Sequence, residues 1–210
     1  MKNKFKTEQE QFWSGEFGDV YSKRNLGPRW VAANTALFSK VLARTANVSS
    51  LIEFGANIGL NLRALRHLLP EAELAAIEIN ASAAKTLKKW GEVKNIYETS
   101  LLEFKPKRQW DLALIKGVLI HINPDALPLA YENLYRATRR YLCVVEYYNP
   151  SPVTIPYRGH QDRLFKRDFA GELLDRYPDL RLLDYGFTYH RDPNFPQDDT
   201  SWFLLEKQKK

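Results

Sequence analysis

Three runs in the chain are apolar at consecutive positions, Leu74-Ala75-Ala76-Ile77, Leu112-Ala113-Leu114-Ile115 and Leu142-Cys143-Val144-Val145, and a fourth, Leu51-Ile52-Glu53-Phe54, is interrupted only by Glu53. A strand that alternates apolar and polar residues has one wet face, whereas an unbroken apolar strand must be covered on both. The runs belong to strands read over 49–54, 74–79, 110–115 and 141–147. Between and around them lie stretches with helical spacing, over 30–46, 61–69, 81–90, 127–138 and 169–177. A shorter strand fits 95–98, and 180–189 with 201–207 read as two closing strands with no helix between them. Strands alternating with helices build an α/β fold. The expectation is a doubly wound, mostly parallel seven-stranded sheet with an antiparallel edge strand. No repeat or linker interrupts it, so 31–210 reads as one domain. Segment 1–30 is too irregular for a long helix and too aromatic for a free tail.

Composition supports a packed core, with 44% apolar and 27% charged residues in 210,. No apolar run approaches the ~18 residues of a membrane span. Met1 to Lys6 is basic but leads into polar 7–11, so no secretory signal is read. The single Cys143 forms no internal disulfide and no thiolate metal site by itself, and a cytoplasmic protein is expected,. The net charge of +6 rests on Lys2, Lys4, Lys6, Lys207, Lys209 and Lys210, which read as solvated ends; without them the body carries 25 basic and 25 acidic residues. A nucleic-acid reader carries its charge as a patch on the folded body, so this balance argues against one.

In an open parallel sheet, ligands sit at the carboxyl ends of the strands where strand order reverses. The first strand ends Glu53-Phe54-Gly55-Ala56-Asn57-Ile58-Gly59. The dinucleotide fingerprint asks for glycine where Gly55, Asn57 and Leu60 stand, and fails at two of them. A phosphate-cradling Walker loop fails as well, because no Gly-Lys-Ser/Thr follows. What remains is acid-x-Gly-x-x-x-Gly, with Glu78 at the tip of the second strand, 23 positions after Gly55. Glycines let backbone approach a ligand closely, and a carboxylate there can accept from both hydroxyls of a ribose. Without the third glycine, a nucleoside lacking phosphates fits better than a dinucleotide. The plainer alternative is that Gly55 and Gly59 only shape a tight turn.

These residues resemble motifs I and II of class I S-adenosylmethionine (SAM)-dependent methyltransferases, over about 45–207. The resemblance implies SAM as cofactor. It implies that Glu53, Gly55, Ala56, Asn57 and Gly59 lie against the methionine part, and that Glu78, followed by Ile79, holds the ribose. Thr99-Ser100-Leu101 matches the adenine-contacting position, with Ser100 where the family usually has an acid. Lys116-Gly117-Val118-Leu119-Ile120-His121-Ile122 looks like motif IV and its turn, Lys116 contributing backbone more than charge. A narrower likeness is to the methylases associated with pseudaminic acid biosynthesis. It is carried by Phe12-Trp13-Ser14-Gly15-Glu16-Phe17-Gly18, by Gly117 to Pro124, by Glu146-Tyr147-Tyr148-Asn149-Pro150, and by Tyr157-Arg158-Gly159-His160. Phe165 to Glu172 and Asp184-Tyr185-Gly186-Phe187 extend it. It implies methyl transfer linked to a nonulosonic-acid sugar pathway.

On the acceptor side, His121 is a candidate general base, its ordinary pKa near ~6.5 suiting that work; alternatively it fixes its loop by donating to a carbonyl. The proline-rich loop 146–160 follows the fifth strand and brings Tyr147, Arg158 and His160 to the same edge. Arg158 reads an anionic group on the acceptor, or else pairs with Glu146 or Asp162. Only one of Tyr147 and Tyr148 points inward. Phe12, Trp13, Phe17 and Tyr21 form a lid over a small-molecule site or pack on the body, and Arg24 meets the methionine carboxylate or a surface acid. His190, Asp192, Asp198 and Asp199 have no recognisable ligand spacing, so no metal is expected, and they read as a polar surface loop. The sequence thus points to a SAM-dependent methyltransferase acting on a small polar acceptor, an amino sugar or related anionic metabolite. The alternatives are a non-catalytic SAM or nucleoside binder and an RNA methyltransferase.

Overall fold

The computed structural model describes residues 5–24 and 27–208. The readings made for Lys2, Lys4, Lys209 and Lys210, and for Asn25 and Leu26 of the N-terminal segment, fall outside these residues.

The parallel part of the sheet forms from β1 (Ser50–Phe54), β2 (Glu73–Glu78), β3 (Asn95–Glu98), β4 (Trp110–Lys116) and β5 (Thr138–Glu146). Strand order is β3-β2-β1-β4-β5-β9-β8, where β8 is Leu180–Phe187 and β9 is Ser201–Lys207. Side chains alternate across it, which explains the unbroken apolar runs. Ile52, Phe54, Ala113, Ile115, Leu142 and Val144 enter one core, under α6 (Leu127–Ala137) and α7 (Phe169–Arg176). Leu51, Leu112, Leu114, Cys143 and Val145 enter the other, under α3 (Pro28–Leu42), α4 (Leu60–Leu68) and α5 (Ala81–Trp90). At the amino end of the sheet, Asp111 accepts from the backbone and hydroxyls of both Ser49 and Ser50 and is paired with Arg139. That carboxylate ties β1 to β4 one step before their shared ladder begins at Leu51 and Leu112.

Two expectations need correction. The antiparallel strand is β9, and it lies inside the sheet between β5 and β8, so the edge strand β8 runs with the parallel set. The N-terminal segment, as expected, has no long helix; it contains two short ones, α1 (Glu8–Ser14) and α2 (Glu16–Arg24). A capping box starts α1, Thr7 accepting from Glu10 N while the Glu10 carboxylate accepts from Thr7 N,. Lys6 and Lys207 are not free ends: Lys6 pairs with Glu103 at 2.9 Å, and Lys207 Nζ sits 3.6 Å from the Tyr135 ring centre.

The 146–160 loop also holds structure. β6 (Val153–Tyr157) and β7 (His160–Lys166) form a hairpin outside the main sheet. Its turn is Arg158-Gly159, at φ 50° and 84°. Positive φ at both central residues is the geometry that matches strand twist in a two-residue hairpin.

Candidate functional site

Strand order reverses between β1, which continues to β2, and β4, which continues to β5. A cavity of about 550 Å³ opens at the carboxyl ends of these strands. Its floor is the turn after β1. Gly55 turns there at φ 76°, and a Cβ on it would stand 2.6 Å from Val118 Cγ2. Glycine is therefore required on two counts, backbone conformation and the neighbouring β4 turn. Gly59, at φ 81°, does different work. Its missing Cβ makes room for Leu87 Cδ1, 2.5 Å from where it would lie, so it seats α4 against α5.

Glu78 is 6% exposed and lines the cavity. One of its oxygens accepts from Asn57 N at 2.6 Å, the other from Asn80 N at 2.7 Å. Burial raises its pKa, and these amides oppose the rise. Asn57 is held in turn by Ser22 of α2, whose hydroxyl bonds to its Oδ1 at 2.7 Å. Further along, Thr99, Ser100 and Leu101 at the β3 tip and Ile79 after β2 line the opposite end.

A buried carboxyl lies beneath the floor. Glu53 is 1% exposed and is not among the residues that line the cavity, its Oε1 accepting from Asn61 at 2.6 Å. Burial pushes its carboxyl up to about 8 against the opposing pull of Asn61 and Lys116. Lys116 contributes more than its backbone, because its ammonium reaches Asn34 Oδ1 at 3.3 Å and lines the cavity. Burial lowers its pKa, opposed first by Glu53. Glu146, at the end of β5, accepts from the Val118 and Leu119 amides at 2.9 Å each and fixes the β4 turn around Gly117. Burial takes its carboxyl up to about 7.

His121 ends that turn, 7% exposed. Its Nδ1 lies 2.5 Å from the Arg163 carbonyl of β7. A carbonyl only accepts, so Nδ1 carries the proton and Nε2 is left as an acceptor. The expected titration near neutrality does not hold, because burial pushes the imidazole down to about 4. Trp13 packs 4.6 Å from its ring and Tyr157 5.0 Å, and Phe12 and Phe17 stack at 4.1 Å beside them. This aromatic roof joins α1, α2 and the hairpin, with Gln9 Nε2 donating to the Asp162 carbonyl at 3.0 Å.

Of the residues singled out in the sequence, Trp13, Tyr21, Arg24, Gly55, Ala56, Asn57, Glu78, Ile79, Ser100, Leu101, Lys116, Gly117, His121, Tyr147 and Arg158 all line the one cavity. Glu53, Gly59 and His160 do not: the first is bonded to Asn61, the second packs helices, and the third is exposed and meets Phe12 edge-on at 4.9 Å. Tyr147 lines the cavity and Tyr148 is exposed, so one of the pair points inward. The segment read as a polar surface loop sends Gln197, Asp198 and Thr200 into the cavity. Burial and the nearby Asp198 carboxylate raise the Tyr147 phenol, and burial pushes the Tyr21 phenol up to about 12 with Asp198 near it. Gln9, Glu10 and Asn34 line the cavity as well, with no motif to announce them. His190 pairs with Asp199 at 2.8 Å and Asp192 caps its own turn. Among the described residues no three His, Cys, Asp or Glu side chains group to hold a metal ion.

The chain matches no protein-family model and no curated protein. Solved structures do match. A SAM-dependent methyltransferase of Leishmania major superposes with a TM-score of 0.72 at 15% identity, over 94% of this chain and 81% of that one. The plantazolicin methyltransferase BpumL, in complex with S-adenosylhomocysteine (SAH), gives 0.67 at 15% over 96% and 94%. The 1,6-didemethyltoxoflavin-N1-methyltransferase of Burkholderia thailandensis gives 0.66 at 16% over 96% and 88%. The fold is that of class I methyltransferases. At such identities the likeness covers architecture, and the chemistry rests on the cavity itself. No helix among the described residues is long and apolar enough to cross a membrane.

Proposed function

We propose that this protein is a cytoplasmic SAM-dependent methyltransferase acting on a small polar acceptor, an amino-sugar derivative of a nonulosonic-acid pathway. The observation that carries the reading is Glu78. It is a buried carboxylate at the β2 tip, beside a glycine turn, with lone pairs left for the hydroxyls of a ribose,. The cavity fits a polar nucleoside. Buried Asn61 Oδ1, Trp13 Nε1, Glu10 Oε1 and Gln197 Oε1 have no hydrogen-bond partner among the described residues, and all four side chains line it. Orphaned polar groups of this kind are costly unless a ligand or water satisfies them.

When bound, SAM supplies an electrophilic methyl group on a sulfonium. The chain's part is to bind, orient and keep water out. Gly55 to Asn57 and Asn61 take the methionine end, with Glu53 acting through Asn61, and Arg24 takes the carboxylate. Glu78 takes the ribose, and Ser100 and Leu101 border the base. The segment 1–30 serves as the lid, through Trp13 and Tyr21. The acceptor enters between His121, Tyr147 and Arg158, with His160 propping the roof from outside. A buried imidazole at about 4 is a hydrogen-bond acceptor at neutral pH and a weak base,. That favours a neutral amine, whose lone pair is already free, over a hydroxyl. Arg158, on the hairpin turn, offers a planar fork to a carboxylate or phosphate on the same acceptor.

Calorimetry with SAM and SAH, followed by turnover on amino-sugar extracts read by mass spectrometry, tests this. The expected result is micromolar or tighter binding and a product heavier by one methylene. No binding of either nucleoside overturns the reading; binding without any methylated product leaves a SAM-binding protein in its place; and a methylated RNA in place of a sugar corrects the acceptor.

A further inference from the structure

The adenine end of the cavity lacks the acid that the β3 tip usually supplies, and the Ser100 hydroxyl and the Leu101 carbonyl there are already engaged. Ser100 Oγ accepts from Leu102 N at 3.0 Å, and the Leu101 carbonyl accepts from Asn133 Nδ2 at 2.8 Å. We propose that Glu10, on the first N-terminal helix, is the residue that reads the exocyclic amine of the purine. This rests on the proposed SAM site.

Three observations converge on Glu10. It lines the cavity although it is only 4% exposed. Its Oε2 is saturated by the helix cap, accepting from Lys6 N and Thr7 N at 2.8 Å each, while its Oε1 is buried with no partner among the described residues. Lys6 then joins this carboxylate to the β3 tip: its ammonium reaches the Leu102 carbonyl at 3.4 Å and pairs with Glu103 at 2.9 Å. The start of α1 is thereby pinned against the loop that borders the base. Its far end is pinned at the β2 side, where Asn80 Nδ2 donates to the Trp13 carbonyl at 3.4 Å. A helix held at both points lies across the purine end, and its buried unpartnered carboxylate oxygen, Glu10 Oε1, faces a ligand that must bring a donor. Adenine brings an amine there; a 6-oxo purine brings a carbonyl. The neighbouring Gln9 also leaves a buried Oε1 without a partner among the described residues; it is the lesser candidate because a neutral amide oxygen accepts less strongly than a carboxylate, and its Nε2 anchors the side chain to the Asp162 carbonyl of the hairpin,.

The geometry makes Glu10 a specificity residue, and its substitution by glutamine separates that role from helix capping. A capping box accepts glutamine as well as glutamate at this position. In Glu10→Gln the amide oxygen keeps the cap, and the NH2 group replaces Oε1, a donor where an acceptor stood. SAH and its 6-oxo analogue S-inosylhomocysteine are titrated by calorimetry into wild-type and Glu10→Gln protein, with Gln9→Ala as control and thermal melts as a check on folding. The wild type should prefer SAH by roughly tenfold or more, the scale of one charged hydrogen bond. Glu10→Gln should lose that preference by weakening SAH and strengthening the analogue, while Gln9→Ala keeps it. A wild type that binds both equally overturns the assignment without any variant, as does a folded Glu10→Gln with an unchanged ratio, or a ratio that moves with Gln9 instead. A wild type that binds neither nucleoside overturns the proposed function first, and this with it.

Discussion

Glu78 holds the Asn57 and Asn80 amides through its two oxygens, so the turn is set before a ligand arrives. Its substitution therefore has two consequences that separate experimentally. Glu78→Ala should weaken SAM binding by ~2–4 kcal/mol, since each charged hydrogen bond contributes ~1.5–3 kcal/mol and the pair is not additive. It should also lower the melting temperature of the ligand-free protein, because two buried amides lose their acceptor. Unchanged affinity in a folded variant removes Glu78 from the ribose site. Gly55→Val should abolish SAM binding while leaving helical circular dichroism largely intact. Its cause includes the Val118 side chain and the positive φ as well as direct obstruction of the ligand. His121 adds a pH dependence with a definite sign. Its folded pKa of about 4 lies below an unfolded value near ~6.5, so the neutral ring contributes stability above pH ~6.5 that is lost as pH falls towards 4,. At pH 5 the loss should be roughly 2 kcal/mol in urea melts. His121→Gln should flatten that slope, and the rate profile of the wild type should have no limb near 6.5.

The hairpin is the element on which acceptor recognition depends. It is held by the His121 bond to Arg163, by Gln9, and by the roof aromatics, and it carries Arg158 at its turn. Arg158→Lys keeps the charge and loses the fork, so it should raise the acceptor KM several-fold and spare SAM affinity. Equal loss of both would mean that the turn supports the whole cavity. This hairpin was also the element least legible in the sequence. Pro156 has no amide to donate, which argues against a strand, yet it sits where the register shifts between Ile155 and Tyr157 of a two-stranded, edge-only ribbon,. The β1, β2, β4 and β5 runs were legible because burial on both faces leaves no polar alternation. Glu78 and the glycine turn were legible because local spacing carries them. Asp198 and Glu10 were not: they reach the cavity through tertiary docking of a loop and a short helix, and no local pattern encodes that.

Across the whole molecule the two ends of the sheet divide the work. The carboxyl ends of the strands hold the orphaned polar atoms and raised carboxyls of the site. The amino ends hold Asp111, where every partner is satisfied. Burial works to raise the Asp111 carboxyl but is outweighed by bonds from Ser49, Arg139 and Ser50, which take it down to about 2. The folded pKa lies below the unfolded value near ~3.9, so its contribution is complete above pH ~4 and is lost as pH falls through about 2,. The amount is roughly 2 kcal/mol, and it falls in a window below the one set by His121. Asp111→Asn should remove this lower acid transition, lower stability at neutral pH by a similar amount, and leave SAM affinity unchanged wherever the variant is folded. Denaturant melts between pH 7 and 2, with calorimetry at pH 7, check all three. Loss of SAM binding in folded Asp111→Asn would show that the β1–β4 register, set at the amino end, reaches the glycine turn at the other.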